Sequence, residues 1–503
     1  MVTATPPANG DTRFSLWQRV RAFAVPPSVI EAATARRRAG DWAGACAAAG
    51  VDVDVRPRAV ARTHGHDLAA RLRDDLRHLA PDLLRWHLPR IAPDGLLRPG
   101  LTLTLARYAA GPGDPNPVHL VARTAPAWAD GGQRISLALW DGPEDRRPAA
   151  TPSHPSLSPS RGHPHPRPSR WFRLDLHRHL WDARRAGELA ARAGAVDAPH
   201  REPVAIRPEL ARLLPTDRWC AVERWAEEAA LVLRAEGRDG GGAVAVRLGG
   251  RRRLVLDVGL DAGGAPVLRG VTPTTAGRAG ALPALPDAAT WVLPDLHLLR
   301  AGLLDAGALH PLVASALVPE RVQGAGDGPS PAGAGGPRLV ECRGDRHRIG
   351  LADGVLVPLD HSPEEIRREE LLAALTGTPL PCLRVVAEAH RRPDDLGLIR
   401  ERLDHGDLAG ALAVVEDLLG PGASLPDGAL RDELETAARR RVAHGLFRAG
   451  LAEPGGGSRT GWRAHPRPTG TPVVPGPLPD RAGPGHRRSR EHPFRPRHAN
   501  RFP

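Results

Sequence analysis

Leu68, Leu72, Leu76 and Leu79 recur at steps of four, four and three, which places them on one helical face. Helical periodicity runs from Arg13 to about Arg90, broken at Pro26-Pro27-Ser28 and again at Gly40-Asp41. Glycine at a helix end followed by an aspartate that can cap the next helix predicts a tight turn there. The pattern then changes to strand-like runs at Leu101–Arg107, Val118–Ala122 and Arg134–Trp140, separated by the turn-forming stretches 111–117 and Asp130-Gly-Gly. An antiparallel meander is the expected outcome. After Trp171 the chain repeats this alternation. Helices are expected at about Leu180–Ala193 and Pro208–Glu236. Strands follow at Ala243–Leu248, Arg253–Val258 and Pro266–Val271, the first two joined through Gly249-Gly250, and a helical stretch covers Pro294–Ala316.

The stretch from Arg338 to Thr376 carries the clearest local signals. Three short strand runs are expected, with Asp353-Gly354 as the hairpin turn and Asp345 in the turn before the second run. Ser362, Pro363 and Glu365 then suit the N-cap, first and third positions of a helix, which makes a capping box. Helices are expected again from Leu383 to about Ala449. One internal echo stands out: Gly40-Asp41-Trp42-Ala43-Gly44-Ala45 recurs as Gly406-Asp407-Leu408-Ala409-Gly410-Ala411, with a looser version at Gly187-Glu188-Leu189-Ala190. The turn is similar to that of tetratricopeptide-type hairpins. There is no 34-residue period, however, so a solenoid is not expected.

These patterns predict an α+β protein: antiparallel β-meanders flanked by helices, a helical C-terminal subdomain and a disordered tail. The expected segments are a lead-in over 1–12, a helical region plus meander over 13–142, and a Pro/Ser/His-rich linker over 143–170. An α+β domain follows over 171–323, then a Gly/Pro linker over 324–337, a meander plus helical subdomain over 338–452, and a disordered basic tail over 453–503. The 53 prolines and 55 glycines among 503 residues agree with long connecting segments.

Charge changes the picture mainly by where it lies. All 69 Lys+Arg positions are arginine, which excludes Schiff-base, pyridoxal-phosphate, phosphate-loop and protein-kinase lysine chemistry. Arginine cannot substitute where a neutral amine is needed. Of the net charge of +12, +8 belongs to the segment from Pro454 onward, so the body is nearly neutral for its size. Cys46, Cys220, Cys342 and Cys382 form no paired spacing, and the expected role is that of small buried hydrophobes in a reducing compartment. Neither a signal segment nor a membrane-spanning run is visible, so a cytoplasmic location with no membrane partner is the default expectation.

Standard catalytic motifs are absent, and no cofactor is assigned. Three histidine pairs, His64/His66, His163/His165 and His177/His179, have a spacing seen in metal sites, but 22 histidines make such pairs expected by chance. The densest set of candidate catalytic or metal-ligating groups is Asp345, His347, Asp360 and His361. Each also has a structural reason to stand where it does: turn, strand face and helix start. Arg487, Arg488, Arg490, Arg495 and Arg497 in the tail are candidates for phosphate contacts without sequence preference. The leading functional expectation is a non-enzymatic protein-interaction or regulatory protein with a protein partner. The alternatives are a metal-dependent or hydrolytic enzyme, and accessory nucleic-acid binding through the tail.

Overall fold

The computed structural model describes residues 12–109, 117–142, 163–194, 208–215, 218–239, 241–319, 338–342, 345–352, 355–358, 360–376, 393–419 and 428–451. All of these belong to one unit, Met1–Gly456. The tail arginines Arg487, Arg488, Arg490, Arg495 and Arg497 lie outside the described residues, as does Cys382.

In chain order, α1 (Thr12–Arg19) runs into a π-turn at Val20–Ala24, then come α2 (Pro27–Arg38) and α3 (Trp42–Ala48). Strand β1 (Val51–Val53) follows, then α4 (Pro57–His64), α5 (His66–His78) and α6 (Pro81–His87). A small hairpin, β2 (Arg90–Ile91) with β3 (Leu96–Leu97), leads to β4 (Thr102–Tyr108), β5 (Val118–Thr124) and β6 (Ile135–Trp140). The sheet order is β1-β6-β5-β4. Its three longer strands are the expected antiparallel meander, and β1 pairs with β6 in parallel. The sequence reading placed residues 51–53 within a helical region. Three residues are too few for a periodicity to register, and pairing with β6 decides their conformation. Strands β2 and β3, two residues each, are likewise too short to register and pair with each other.

Burial follows the predicted leucine face, since Leu68, Leu72, Leu76 and Leu79 are all buried. They join Trp86, Trp181, Leu103, Leu120 and Leu137 in the largest core, which lies between the helices and one face of the four-stranded sheet. The histidine pair His177/His179 stands at a 3-10 turn, Arg178–Leu180. The helix expected at Leu180–Ala193 reduces to short turns ending in Leu189–Arg192. Residues 163–169, assigned to a linker by composition, pack on the sheet: the His163 imidazole is buried with Nε2 3.0 Å from the Thr124 carbonyl oxygen.

A second core joins α7 (Trp225–Ala235) to the antiparallel sheet of β7 (Gly242–Arg247), β8 (Arg253–Leu260) and β9 (Pro266–Thr274). Along β8, Leu254, Leu256 and Val258 are buried while Asp257 is exposed, the period of two expected of a sheet covered on one face. Helices α8 (Pro294–Arg300) and α9 (Pro311–Leu317) return to the first core.

The three predicted strands after Arg338 form β10 (Arg338–Cys342), β11 (Asp345–Ala352) and β12 (Val355–Pro358), an antiparallel meander. Helix α10 (Pro363–Thr376) opens with the expected capping box: Glu365 N–H donates to Ser362 Oγ at 3.2 Å and Ser362 N–H donates to Glu365 Oε2 at 2.8 Å. The C-terminal helices are α11 (Pro393–Asp404), α12 (Leu408–Leu419) and α13 (Ala429–Arg448), around a third core of Ile399, Leu403, Ala411 and Val415.

The echoed motif builds one device twice. Helices α2 and α11 are each twelve residues long and start on a proline, and the same Gly-Asp turn follows each. Asp41 Oδ1 accepts from Gly44 N–H at 2.8 Å, and Asp407 Oδ1 from Gly410 N–H at 2.9 Å. The arginine five residues earlier ties each carboxylate from the preceding helix: Arg36 to Asp41 at 3.1 Å and Arg402 to Asp407 at 2.5 Å. Gly40 and Gly406 both take positive φ, +78° and +83°. The looser version at Gly187 does not share this construction; Glu188 pairs with Arg185 instead of capping a helix.

Candidate functional site

Of the set chosen from sequence, His347 and His361 are brought together, whereas Asp360 pairs with Arg348. The His347 and His361 rings meet edge to face with Nδ1 of His347 2.7 Å from Nε2 of His361. Asp360 turns to Arg348, accepting from its backbone N–H at 2.6 Å and from its guanidinium at 2.7 and 3.1 Å. Those hydrogen bonds, with the arginine charge, hold the Asp360 carboxyl down at about 2. The pair is on the surface, where such bridges contribute little. Asp345, expected in a turn, is the first residue of β11 and pairs with Cys342. Strand β11 therefore starts one residue earlier than turn chemistry alone suggests. Among the described residues no three His, Cys, Asp or Glu side chains are grouped to hold a metal ion.

The structure instead gathers polar groups on the outer face of the four-stranded sheet. Asp52 on β1, Ser136 on β6, Arg123 on β5 and Thr102 on β4 are register partners and form one row across the sheet. Paired residues project to the same face, so this row faces away from the first core and toward α13 and residues 163–166. Arg134, just before β6, forks onto Asp52 at 2.6 and 3.0 Å. From α13, Arg448 contacts Asp52 at 3.2 Å and also bonds Asp54. His444 places Nε2 3.3 Å from Asp52 and Nδ1 3.1 Å from the Ala129 carbonyl oxygen, and Phe447 meets Trp128 edge to face at 5.3 Å.

Electrostatics divide the two carboxylates. Burial would raise the Asp52 carboxyl, but hydrogen bonds from His444 and Arg134 and the charges of Arg134 and Arg448 outweigh it, holding Asp52 well below the usual range. At Asp54 burial wins over Arg448 and the carboxyl moves up. Its Oδ2 is buried without a hydrogen-bond partner. Beside the row, between β5, β6 and α13, lies a cavity of about 10 Å³, lined by Arg123, Ser136, His163, His444, Phe447 and Arg448 among others. That is about one water molecule in size.

A second polar centre is closed. Glu228 on α7 accepts from Arg192 at 2.8 and 2.9 Å and from Arg224 at 2.7 Å, with His177 Nε2 3.0 Å away. The carboxylate is buried, yet these donors hold it well below its usual value. His177 is therefore held by structural bonds, and the His179 ring meets it edge to face at 5.8 Å.

Sequence reading missed Asp52, Asp54, Arg123, Arg134, His444 and Arg448. Their positions span residues 52 to 448, so no spacing rule connects them. One signal was present: Arg123 follows directly on the apolar residues Leu120-Val121-Ala122, where a buried charge needs a partner. Comparison with known proteins finds no matching family model, no matching curated protein and no matching solved structure.

Proposed function

We propose that the chain is a non-enzymatic protein-interaction or regulatory protein. The observation that carries this reading is how its buried polar groups are used. Among the described residues they join distant segments of the chain to each other. The Arg85 guanidinium is typical: Nε donates to the Ala24 carbonyl at 2.9 Å, Nη2 to that of His405 at 2.7 Å, and Nη1 to that of Gln133. One buried side chain thus links the start of the first hairpin, the β5–β6 connection and the turn of the second hairpin. Asp52 and Glu228 are committed in the same way, and the cavity beside Arg123 has room for about one water molecule.

Helix α13 supports a partner surface on its other side. While His444 and Phe447 face inward, Val442 and Leu446, one turn apart, are 64% and 44% exposed. Purification from the native cell at its natural abundance is the test. A protein partner in stoichiometric amount is expected, and it should be lost from a Val442→Glu/Leu446→Glu chain that melts at the same temperature as wild type. Repeated recovery of no specific partner would remove this reading.

A further inference from the structure

Arg85 and Arg123 are both buried arginines, and the contrast between them is informative. Each Arg85 nitrogen has a carbonyl acceptor. Arg123 is 5% exposed, its Nε is buried with no hydrogen-bond partner, and the bond its side chain makes is a long one, 3.4 Å from Nη2 to the Pro166 carbonyl. Among the described residues no carboxylate lies within 4 Å of it, whereas Arg134 and Arg448 are neutralised by Asp52 and Asp54. A guanidinium does not escape burial by losing its proton. It needs an anion or acceptor instead.

The cavity supplies the room. Ser136 is the small member of the row between Asp52 and Arg123, so the space beside the guanidinium stays open where a larger side chain would fill it. Arg134 and Arg448 add positive charge to the walls, and the rest is Thr124, the apolar Ala125 and Phe447, and His163 and His444, whose ring nitrogens are already engaged elsewhere. Asp52 does not compete for the occupant, because Arg134, His444 and Arg448 already saturate it. Asp54 is the one acidic neighbour with a spare oxygen, and its bond to Arg448 holds it to the α13 side.

We infer that this slot between the sheet and α13 is a binding site for a small anion, which places a single halide ion or one oxyanion oxygen against Arg123. The occupant lies between strand β5 and helix α13, so binding fastens the C-terminal helix to the sheet. This site is independent of whether the chain has a protein partner.

The experiment uses the full chain in chloride-free buffer at fixed ionic strength, with bromide, phosphate or formate as the probe. Saturable binding of one anion per chain is expected, accompanied by a rise in melting temperature, and crystals grown in bromide should show an anomalous peak in the slot beside Arg123. Saturation by phosphate or formate without bromide assigns the slot to an oxyanion and supports the same chemistry. Ser136→Val, which fills the slot but keeps every charge, should abolish the effect while leaving the anion-free melting temperature near wild type. Arg123→Met should abolish it as well. Water without anomalous signal in the slot, or an anion response that Ser136→Val leaves unchanged, would overturn the assignment.

Discussion

The two hairpins, α2–α3 and α11–α12, share a sequence motif, a cap, an arginine tie and a left-handed glycine, but they stand in different surroundings. The first turn faces solvent: the Asp41 side chain is 48% exposed, and a Cβ on Gly40 would meet nothing within 4 Å. The second is pressed into the body. The Asp407 side chain is 4% exposed, and a Cβ on Gly406 would lie 2.0 Å from the Gly132 carbonyl oxygen. His405 beside it stacks on Phe23 and gives its carbonyl to Arg85. A local motif therefore specifies the turn in both places, whereas the importance of each residue is set by what packs against it.

That contrast can be broken most strongly at the glycines. Gly406→Ala combines an unfavourable φ with a backbone clash and should cost about 3 kcal/mol or more. Gly40→Ala carries only the conformational penalty, about 1 kcal/mol. Chemical denaturation of the two variants measures the difference, and equal losses would mean that the second turn is not docked.

The capping aspartates come next. Asp407→Ala removes a cap and strands Arg402 beside a closed interface, an expected loss of about 2 kcal/mol. Asp41→Ala loses its cap in water and should cost less. A denaturation series in which Asp41 proves the more costly would reverse the comparison.

A pH effect of the second hairpin is expected to be smaller at neutrality. Burial, reinforced by Arg90, Arg85 and Arg19, pulls the His405 imidazole down to about 3. The unfolded chain binds a proton below about pH 6.5 while the folded one does not, so stability is complete above that pH and is lost as pH falls toward 3. The slope is about 1.4 kcal/mol per pH unit for one such group. His87, drawn down to about 4 by burial despite Asp295, adds a similar slope. Melting curves of His405→Leu between pH 6.5 and 4 should show one group's slope removed, and an unchanged slope would contradict a buried neutral ring.

The smallest effect should come from Gly44→Ala and Gly410→Ala. In both, a Cβ meets the capping carboxylate, at 2.0 and 2.2 Å, so the lost cap, about 1 kcal/mol, roughly offsets the gain in helix propensity. Gly410→Ala, which displaces the buried Asp407 carboxylate, should cost more than Gly44→Ala in denaturation, and the reverse order would count against a docked second turn.

Most of the architecture could be read in the sequence because it rests on local patterns. The leucine face of α5, the meanders and the Ser362–Glu365 box all involve residues within a few positions of one another. Strand β1 escaped because its three residues acquire their conformation from β6, more than eighty residues later. The candidate site was less legible for the same reason. His347 and His361 do meet, but Asp360 is held by Arg348, a pairing that local spacing alone did not specify. The row of Asp52, Ser136 and Arg123 depends on sheet register, and its cover of His444 and Arg448 arrives from the far end of the chain. A charge directly after an apolar run was the only hint.

Docking of the C-terminal helices onto the sheet and Arg85 is the central claim, and hydrogen exchange tests it most directly. Comparing wild type with Gly406→Ala, amides of α11 and α13 should lose protection together while those of β7–β9 keep theirs. Unchanged protection in α11 and α13, or a loss spread evenly over β7–β9, would contradict it.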